Sequence, residues 1–310
     1  MSEFFKIAAL VTTASTGIRY ATSYLYAAIG ETFGQRSGVL NLGVDGIMLL
    51  GAFGAYYTTR QTGNLWLAML VAAVIGLIMG LAMAFVSVTL QAEQGISGIG
   101  FYLFGLGMSD LLFQKLVGTP LPIPGFPQIR IPWLSELPVV GQLLFSHSII
   151  VYGAFLLVPI TTYVLNRTTI GLKIRSAGEN PAAADTLGVS IARVRYGTVM
   201  FGSMLAGIGG AALTTELRIF QSNLTAGQGF IAVALVYFGA WRPVGVMYGA
   251  LLYGLVASTV LQLKTLGVIP RSVSDLATML PAVITILALV VAVQRERQPA
   301  ALTKPYQRGG

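Results

Sequence analysis

Few side chains in this sequence could take part in covalent chemistry. Its 310 residues include no cysteine and a single histidine, His147, which removes disulfides, thiolate metal sites and a cysteine nucleophile. Ser97 sits in "GISG", a glycine-flanked serine that could act as a nucleophile if a base lay within hydrogen-bond reach, and His147 is the only histidine available for that role. No G-x-x-x-x-G-K-[ST] run occurs, so the chain has no phosphate cradle with which to hydrolyse ATP. Asp45 and Asp110 are the acids that fall in apolar surroundings, where an ion relay would need them. The remaining polar cluster is "GENPAAADTLG", residues 178–188.

The elements that must position these groups are membrane helices. Apolar residues make up 55% of the chain and charged residues 10%, a balance foreign to a water-soluble domain of this length. Apolar runs recur at about the 20 residues needed to cross a hydrocarbon core. They predict an all-α polytopic membrane protein, one transmembrane unit over 1–310, with crossings at 15–34, 39–59, 65–90, 95–117, 148–166, 194–215, 226–241, 243–263 and 276–293. Residues 3–14 are expected to form an interfacial lead-in, and the N-terminal run is read as retained because it lacks a long apolar core and a cleavage site.

Placing loop 167–193 in the cytoplasm sets the orientation. Arg36, Arg167, Lys173, Arg175, Arg193, Arg195, Arg242, Arg295, Arg297, Lys304 and Arg308 then lie inside, and Lys6, Arg60, Lys115, Arg130, Arg218, Lys264 and Arg271 outside. This is the positive-inside bias, and it accounts for the net charge of +8 without nucleic acid. The same topology separates Ser97, near the inner face, from His147, near the outer face, by most of a hydrocarbon thickness of about 30 Å. Ser97 is therefore read as a packing or pathway residue. The periplasmic loop 118–147 carries prolines at 120, 122, 124, 127, 132 and 138, which exclude a regular helix and predict a stiff extended cap. Arg19 is expected to snorkel at the outer end of the first span, Glu216 and Arg218 to be solvated at the outer mouth, and Trp241 to anchor at the interface.

Local signals are sharpest in 178–188. Asn180 followed by Pro181 starts a helix and Gly188 ends it. The two turns between are too short to stand alone in water, so other parts of the structure must hold them. In "GVLNLGVDGIM", Gly38, Gly43 and Gly46 with Asn41 and Asp45 predict a broken helix beside a pathway. Two readings of Asn41 and Asp45 are open: pathway residues, or structural pins of the break. Gly202, Ala206 and Gly210, with Ser203, Gly207 and Ala211, form strips for close helix packing. "FGAWRPVG" reads as a tight reversal with Pro243 opening the next helix.

"GENPAAADTLGV" resembles the cytoplasmic coupling loop of ABC-transporter permeases, in the family that includes simple-sugar, branched-chain amino-acid and nucleoside importers. "GETFGQRSGVLNLGVDGIMLLGAF", "AEQGISGIGFYLFGLGMS" and "GQGFIAVALVYFGAWRPVGVMYGALLYG" match that family in the same order, so the resemblance spans nearly the whole chain. "RSGVLNLGVDG" is closer to nucleoside-type permeases than to the "GGIDLSVGS" of ribose-type ones. The resemblance implies a bundle of about 8–10 transmembrane helices, type II ABC importer-like, multi-pass in the bacterial inner membrane. It implies a second permease subunit, in a heterodimer by preference, two ABC ATPase subunits that bind ATP and Mg²⁺, a periplasmic or lipid-anchored binding protein, and no cofactor in this chain. Gly178, Glu179, Asn180, Pro181, Ala184, Asp185, Leu187 and Gly188 are then the ATPase-coupling residues, with Ala184 and Leu187 in contact with the ATPase. Asn41, Asp45, Gln94, Ser97 and Phe101 are the pathway residues. Two alternatives stand beside this: a permease for a sugar such as ribose or galactose, and an ion-coupled secondary transporter using Asp45 and Asp110, which no internal repeat supports. A third, carried by "GISG" alone, is the resemblance to the nucleophile site of rhomboid intramembrane proteases.

Overall fold

The computed structural model describes residues 7–130, 132–135, 137, 139–270, 273–292 and 298–307. Lys6, Pro138, Arg271, Arg295, Arg297 and Arg308, placed by topology above, lie outside the described residues. In chain order the helices are α1 (Ile7–Arg36), α2 (Val44–Thr62), α3 (Leu65–Ala84, continued by a π-helical turn Phe85–Thr89), α4 (Gln94–Leu116), α5 (Val140–Leu144), α6 (Ile149–Arg167), α7 (Thr169–Glu179), α8 (Pro181–Thr186), α9 (Ile191–Leu217), α10 (Gln228–Phe238), α11 (Pro243–Thr265) and α12 (Ser274–Ala292). Two short strands, β1 (Gln128–Arg130) and β2 (Ser146–Ser148), flank α5.

Five of these, α3 with its π turn, α4, α6, α9 and α11, are long and apolar enough to cross a membrane. They form the outer part of the bundle with much lipid-facing surface, except α9, which is mostly buried. α1, of 30 residues, and α2, of 19, are less apolar and run through the centre. Their polar side chains are affordable there because protein rather than lipid surrounds them.

α9 packs most extensively, on α1, α2 and α3. Its small-residue strips explain how. A Cβ at Gly202 would meet the Gly30 carbonyl oxygen at 2.6 Å, one at Gly207 would run into the Ala72 carbonyl, and one at Gly210 into that of Met48. Helices in lipid gain little from the hydrophobic effect, so this closeness, and the dispersion contacts it allows, holds the centre together.

Four expectations are corrected by the structure. α1 is continuous from Ile7, so the stretch 7–14 is part of the first helix rather than a separate lead-in. The span expected at 226–241 contains only the 11-residue α10, about 16 Å long at 1.5 Å per residue and too short to cross. Its first residue sits beside the middle of α1, where Ser23 Oγ donates to Gln228 Oε1 at 3.4 Å. Residues 218–227 thus return from the outer end of α9 into the bundle, burying Phe220 and Thr225 completely. The outer loop is not extended throughout: its second half folds as β1 antiparallel to β2, with Ile129 opposite His147, around α5. Trp241 is not an interfacial anchor but is 4% exposed, its Nε1 donating to Gln35 Oε1 at 2.8 Å. Near the C-terminal end of α9, Glu216 pairs with Arg19 at 3.4 Å, so neither stands alone there.

Because the chain has no native cysteine, single cysteines report sidedness without background. Ala183→Cys, exposed on α8, should react with an impermeant maleimide only from the cytoplasmic side and Gln128→Cys, exposed on β1, only from outside; labelling of both from one side would show the spans between them to be miscounted.

Candidate functional site

Two regions hold the residues singled out in the sequence: a pair of helix breaks inside the bundle, and the platform of α7 and α8 at one end of it. The first break is 37–43, between α1 and α2. Backbone that leaves a helix inside the bundle must find partners for each N–H; Ser37, Gly38 and Val39 donate to carbonyls in the last turn of α1, and side chains serve Leu40, Asn41 and Gly43. Glu31, 4% exposed, accepts from the Asn41 backbone N–H at 3.0 Å and from Gln35 Nε2 at 3.1 Å. Gln94 Oε1 accepts from Leu40 N–H at 2.8 Å. Asn41 Oδ1 accepts from Gly43 N–H at 2.9 Å, and its Nδ2 reaches Ser203 Oγ at 3.4 Å. Phe101 lies over Gly43, where a Cβ would come within 2.7 Å of its own.

The second break is 218–227. Asp45, fully buried in the first turn of α2, accepts from Gly229 N–H at 2.7 Å, so its carboxyl group caps the N-terminus of the half-helix α10. An acceptor there answers both the unpaired N–H groups and the positive end of the helix dipole. Gly229 has no room for a side chain, since a Cβ would run into the backbone of Asp45.

The expected pathway residues therefore divide. Asn41, Asp45 and Gln94 hold the protein's own backbone; Phe101 is half-buried against the break; Ser97 Oγ donates to the Glu93 carbonyl at 2.7 Å. Glu93 is the N-cap of α4, accepting from Ile96 and Gly95 N–H, bonds that hold its carboxyl below the usual carboxylate range. His147 Nε2 sits 2.7 Å from the Leu143 carbonyl at the outer end of the bundle, so no serine–histidine pair is assembled. Sequence reasoning missed Glu31. Its signal was the i, i+4 pairing with Gln35 in "GETFGQ", two polar side chains on one helix face in an apolar span. Also missed was a cleft of about 550 Å³ between α1, α10, α11 and α12, lined in part by Tyr20, Tyr24, Thr225, Gln228 and Tyr253.

On the platform the short helix forms as its sequence signals require. Asn180 Oδ1 accepts from Ala183 N–H at 3.0 Å and Pro181 occupies the first turn. Gly188 adopts φ +82°, closing the C-terminus with Gly188 N–H to the Asp185 carbonyl at 2.9 Å and Val189 N–H to that of Ala184 at 3.0 Å. Leu187 is 85% exposed, and Ala182, Ala183 and Thr186 are exposed beside it. Ala184, placed at the contact surface by the resemblance, faces inward instead, 3% exposed among Ala177 and Ile191. Gly178 is buried too, against the carbonyl of Arg36. Glu179 Oε2 accepts from Ala300 N–H at 3.5 Å, and Asp185 Oδ2 from the Tyr306 hydroxyl at 3.2 Å.

The family model described as "Branched-chain amino acid transport system / permease component" matches residues 13–289. The chain belongs to that family, and it is a multi-pass ABC transporter permease subunit. It is 36% identical to the putative glucose ABC transporter permease protein TsgC13 of Haloferax volcanii, over 94% of this chain and 96% of that one. It is 33% identical to the guanosine ABC transporter permease protein NupQ of Bacillus subtilis, over 94% of each chain. It is 33% identical to the nucleoside ABC transporter permease protein NupC of Lactococcus lactis, over 91% of this chain and 92% of that one. No solved structure matches significantly.

The capping role of Asp45 is open to a stability measurement. Asp45→Ala, which leaves Gly229 N–H and the start of α10 without an acceptor, should destabilise the purified chain by about 1–3 kcal/mol, whereas Asp45→Asn keeps a carbonyl oxygen and should retain most of the stability. Equal loss in both variants would mean that the charge rather than the cap matters.

Proposed function

We infer that this chain is one of two permease subunits of an ATP-driven importer for nucleosides in the plasma membrane, and that α8 receives the stroke of the ATPase. The observation that carries the coupling role is the geometry of α8: six residues, stopped at both ends, fastened underneath through Ala184 and presenting Leu187 and its small neighbours outward. A partner that grips this ridge moves it as a rigid body. ATP and Mg²⁺ belong to the ATPase subunits, and a binding protein delivers substrate at the outer mouth.

A nucleoside as cargo draws support from two sides. Relatives in Bacillus subtilis and Lactococcus lactis carry guanosine and nucleoside names, and in Bacillus subtilis two guanosine permease proteins resemble this chain, at 33% and 26% identity. That favours a heterodimer here. The cleft lined by Tyr20, Tyr24, Gln228 and Tyr253 offers flat aromatic faces and one amide, the groups that stack on and hydrogen-bond to a nucleobase. A tight site in the path would slow release, so affinity is expected to reside in the binding protein.

The Haloferax volcanii relative favours a second reading, a sugar importer. Competition for uptake separates the two. ATP-dependent uptake of guanosine by the reconstituted complex should be reduced by excess unlabelled purine or pyrimidine nucleoside and unaffected by glucose, ribose or galactose. Uptake of glucose that nucleosides fail to compete would place the chain on the sugar branch.

A further inference from the structure

The platform and the first break are not tied by α8 itself. Among the helices, α8 packs on α7 and α9, and α7 meets the edge of the break at its last turn, where Gly178 lies against the Arg36 carbonyl and Gly38. A third piece bridges them: the C-terminal stretch 298–307, "QPAALTKPYQ", which follows the last helix and forms turns rather than helix or strand. Its prolines at 299 and 305 deny it helical continuity. It is nonetheless well seated, with Ala301 and Leu302 each 5% exposed.

Its hydrogen bonds alternate between the two regions. Ala301 N–H donates to the Gly178 carbonyl at 2.8 Å, at the end of α7. Two residues on, Thr303 N–H donates to the Gly38 carbonyl at 3.1 Å, inside the break. Arg195 of α9, 2% exposed, clamps the same junction: Nε donates to the Ser37 carbonyl at 3.2 Å and Nη1 to that of Lys304 at 3.0 Å. Tyr306 then reaches α8 itself, packing beside Ala184 while its hydroxyl donates to Asp185. Gln91 Nε2 donates to the Tyr306 carbonyl at 3.3 Å, tying the far end to the turn before α4.

Two backbone features show how closely this junction is determined. Gly38 has φ +94°, and a Cβ there would stand 2.8 Å from Arg195 Nη2 and 3.0 Å from the Ala301 carbonyl oxygen. Thr303 holds φ +66°, a left-handed conformation costly for a β-branched residue and kept only where surrounding contacts impose it. A loose tail would relax out of it.

We propose that residues 298–307 are a strap that positions α8 against the 37–43 break, so that displacement of α8 is delivered through Tyr306, Thr303 and Arg195 to the backbone that starts α2. This rests on the importer reading above. Pulling on Asp185 moves Tyr306; the strap is short and over-determined, so Gly38 and Ser37 follow. From there Leu40 and Gln94 carry the shift to α4. Tyr306, Thr303 and Arg195 are positioning residues, with no part in holding substrate or ATP.

The test uses three chains: wild type, Tyr306→Phe, which keeps the ring and loses the hydroxyl, and Thr303→Pro, which removes the N–H to Gly38 and forbids the left-handed φ. Each is assembled with its partner permease, ATPase subunits and binding protein in liposomes, and ATP hydrolysed per guanosine taken up is measured. The two variants should assemble and hydrolyse ATP at the basal rate, while uptake per ATP falls about threefold in Tyr306→Phe and at least tenfold in Thr303→Pro. Unchanged coupling in both would overturn the proposal. A wild-type complex that hydrolyses ATP without importing guanosine would count against the importer reading, and a second measurement then decides the strap by itself: amide hydrogen exchange on the full chain. Thr303→Pro should speed exchange in 37–43 at least tenfold and leave α11 unchanged, and equal exchange in 37–43 would show that the strap does not hold the break.

Discussion

A peptide N–H buried away from water must be given an acceptor, and this bundle buries non-helical backbone in two places, between α1 and α2 and between α9 and α10. Everything near the centre is arranged around that demand. Glu31, Asn41 and Gln94 satisfy the non-helical backbone at 37–43, and Asp45 satisfies the first turn of a helix that begins halfway through the protein. Each of these side chains would be costly in a lipid-facing helix. Here they are enclosed by the helices packed around them, α9 and α11 on α1, and α9, α3 and α4 on α2.

Close packing is the condition for that enclosure. α9 approaches α1, α2 and α3 at glycines where any side chain would meet a carbonyl, and this brings Ser203 within reach of Asn41. The breaks and the glycine strips are thus one device. Tight helix contacts fix the helices that stay whole, and side-chain acceptors hold the interrupted backbone between them in one defined arrangement. Rigid, well-seated elements of this kind pass on a displacement as a unit.

How much of this was legible in the sequence depended on whether the signal was local. The caps of α8 are written within nine residues, and Asn180, Pro181 and Gly188 do what their types dictate. The α9 strips and the 239–243 reversal, with Ala240 and Trp241 at positive φ before Pro243, are equally local. The half-helix was not legible: an apolar run fixes length and burial but not depth, and only the distant contact of Gln228 with Ser23 shows where α10 begins. Glu31 did carry a local signal, its pairing with Gln35, but its role as acceptor for the Asn41 N–H shows only once the turn between them is folded. Ala184 faces inward onto Ala177 and Ile191, and Tyr306, more than a hundred residues away in sequence and outside any coupling-loop pattern, packs against the same cluster.

The account stands on the claim that these buried breaks are held as firmly as the helices around them. Residue-resolved amide hydrogen exchange on the intact chain in lipid nanodiscs measures this directly. Asn41 and Gly229, whose N–H groups donate to Glu31 and Asp45, should exchange as slowly as amides in the middle of α9. Exchange at those two residues as fast as in the exposed turn around Thr62–Asn64 would contradict it.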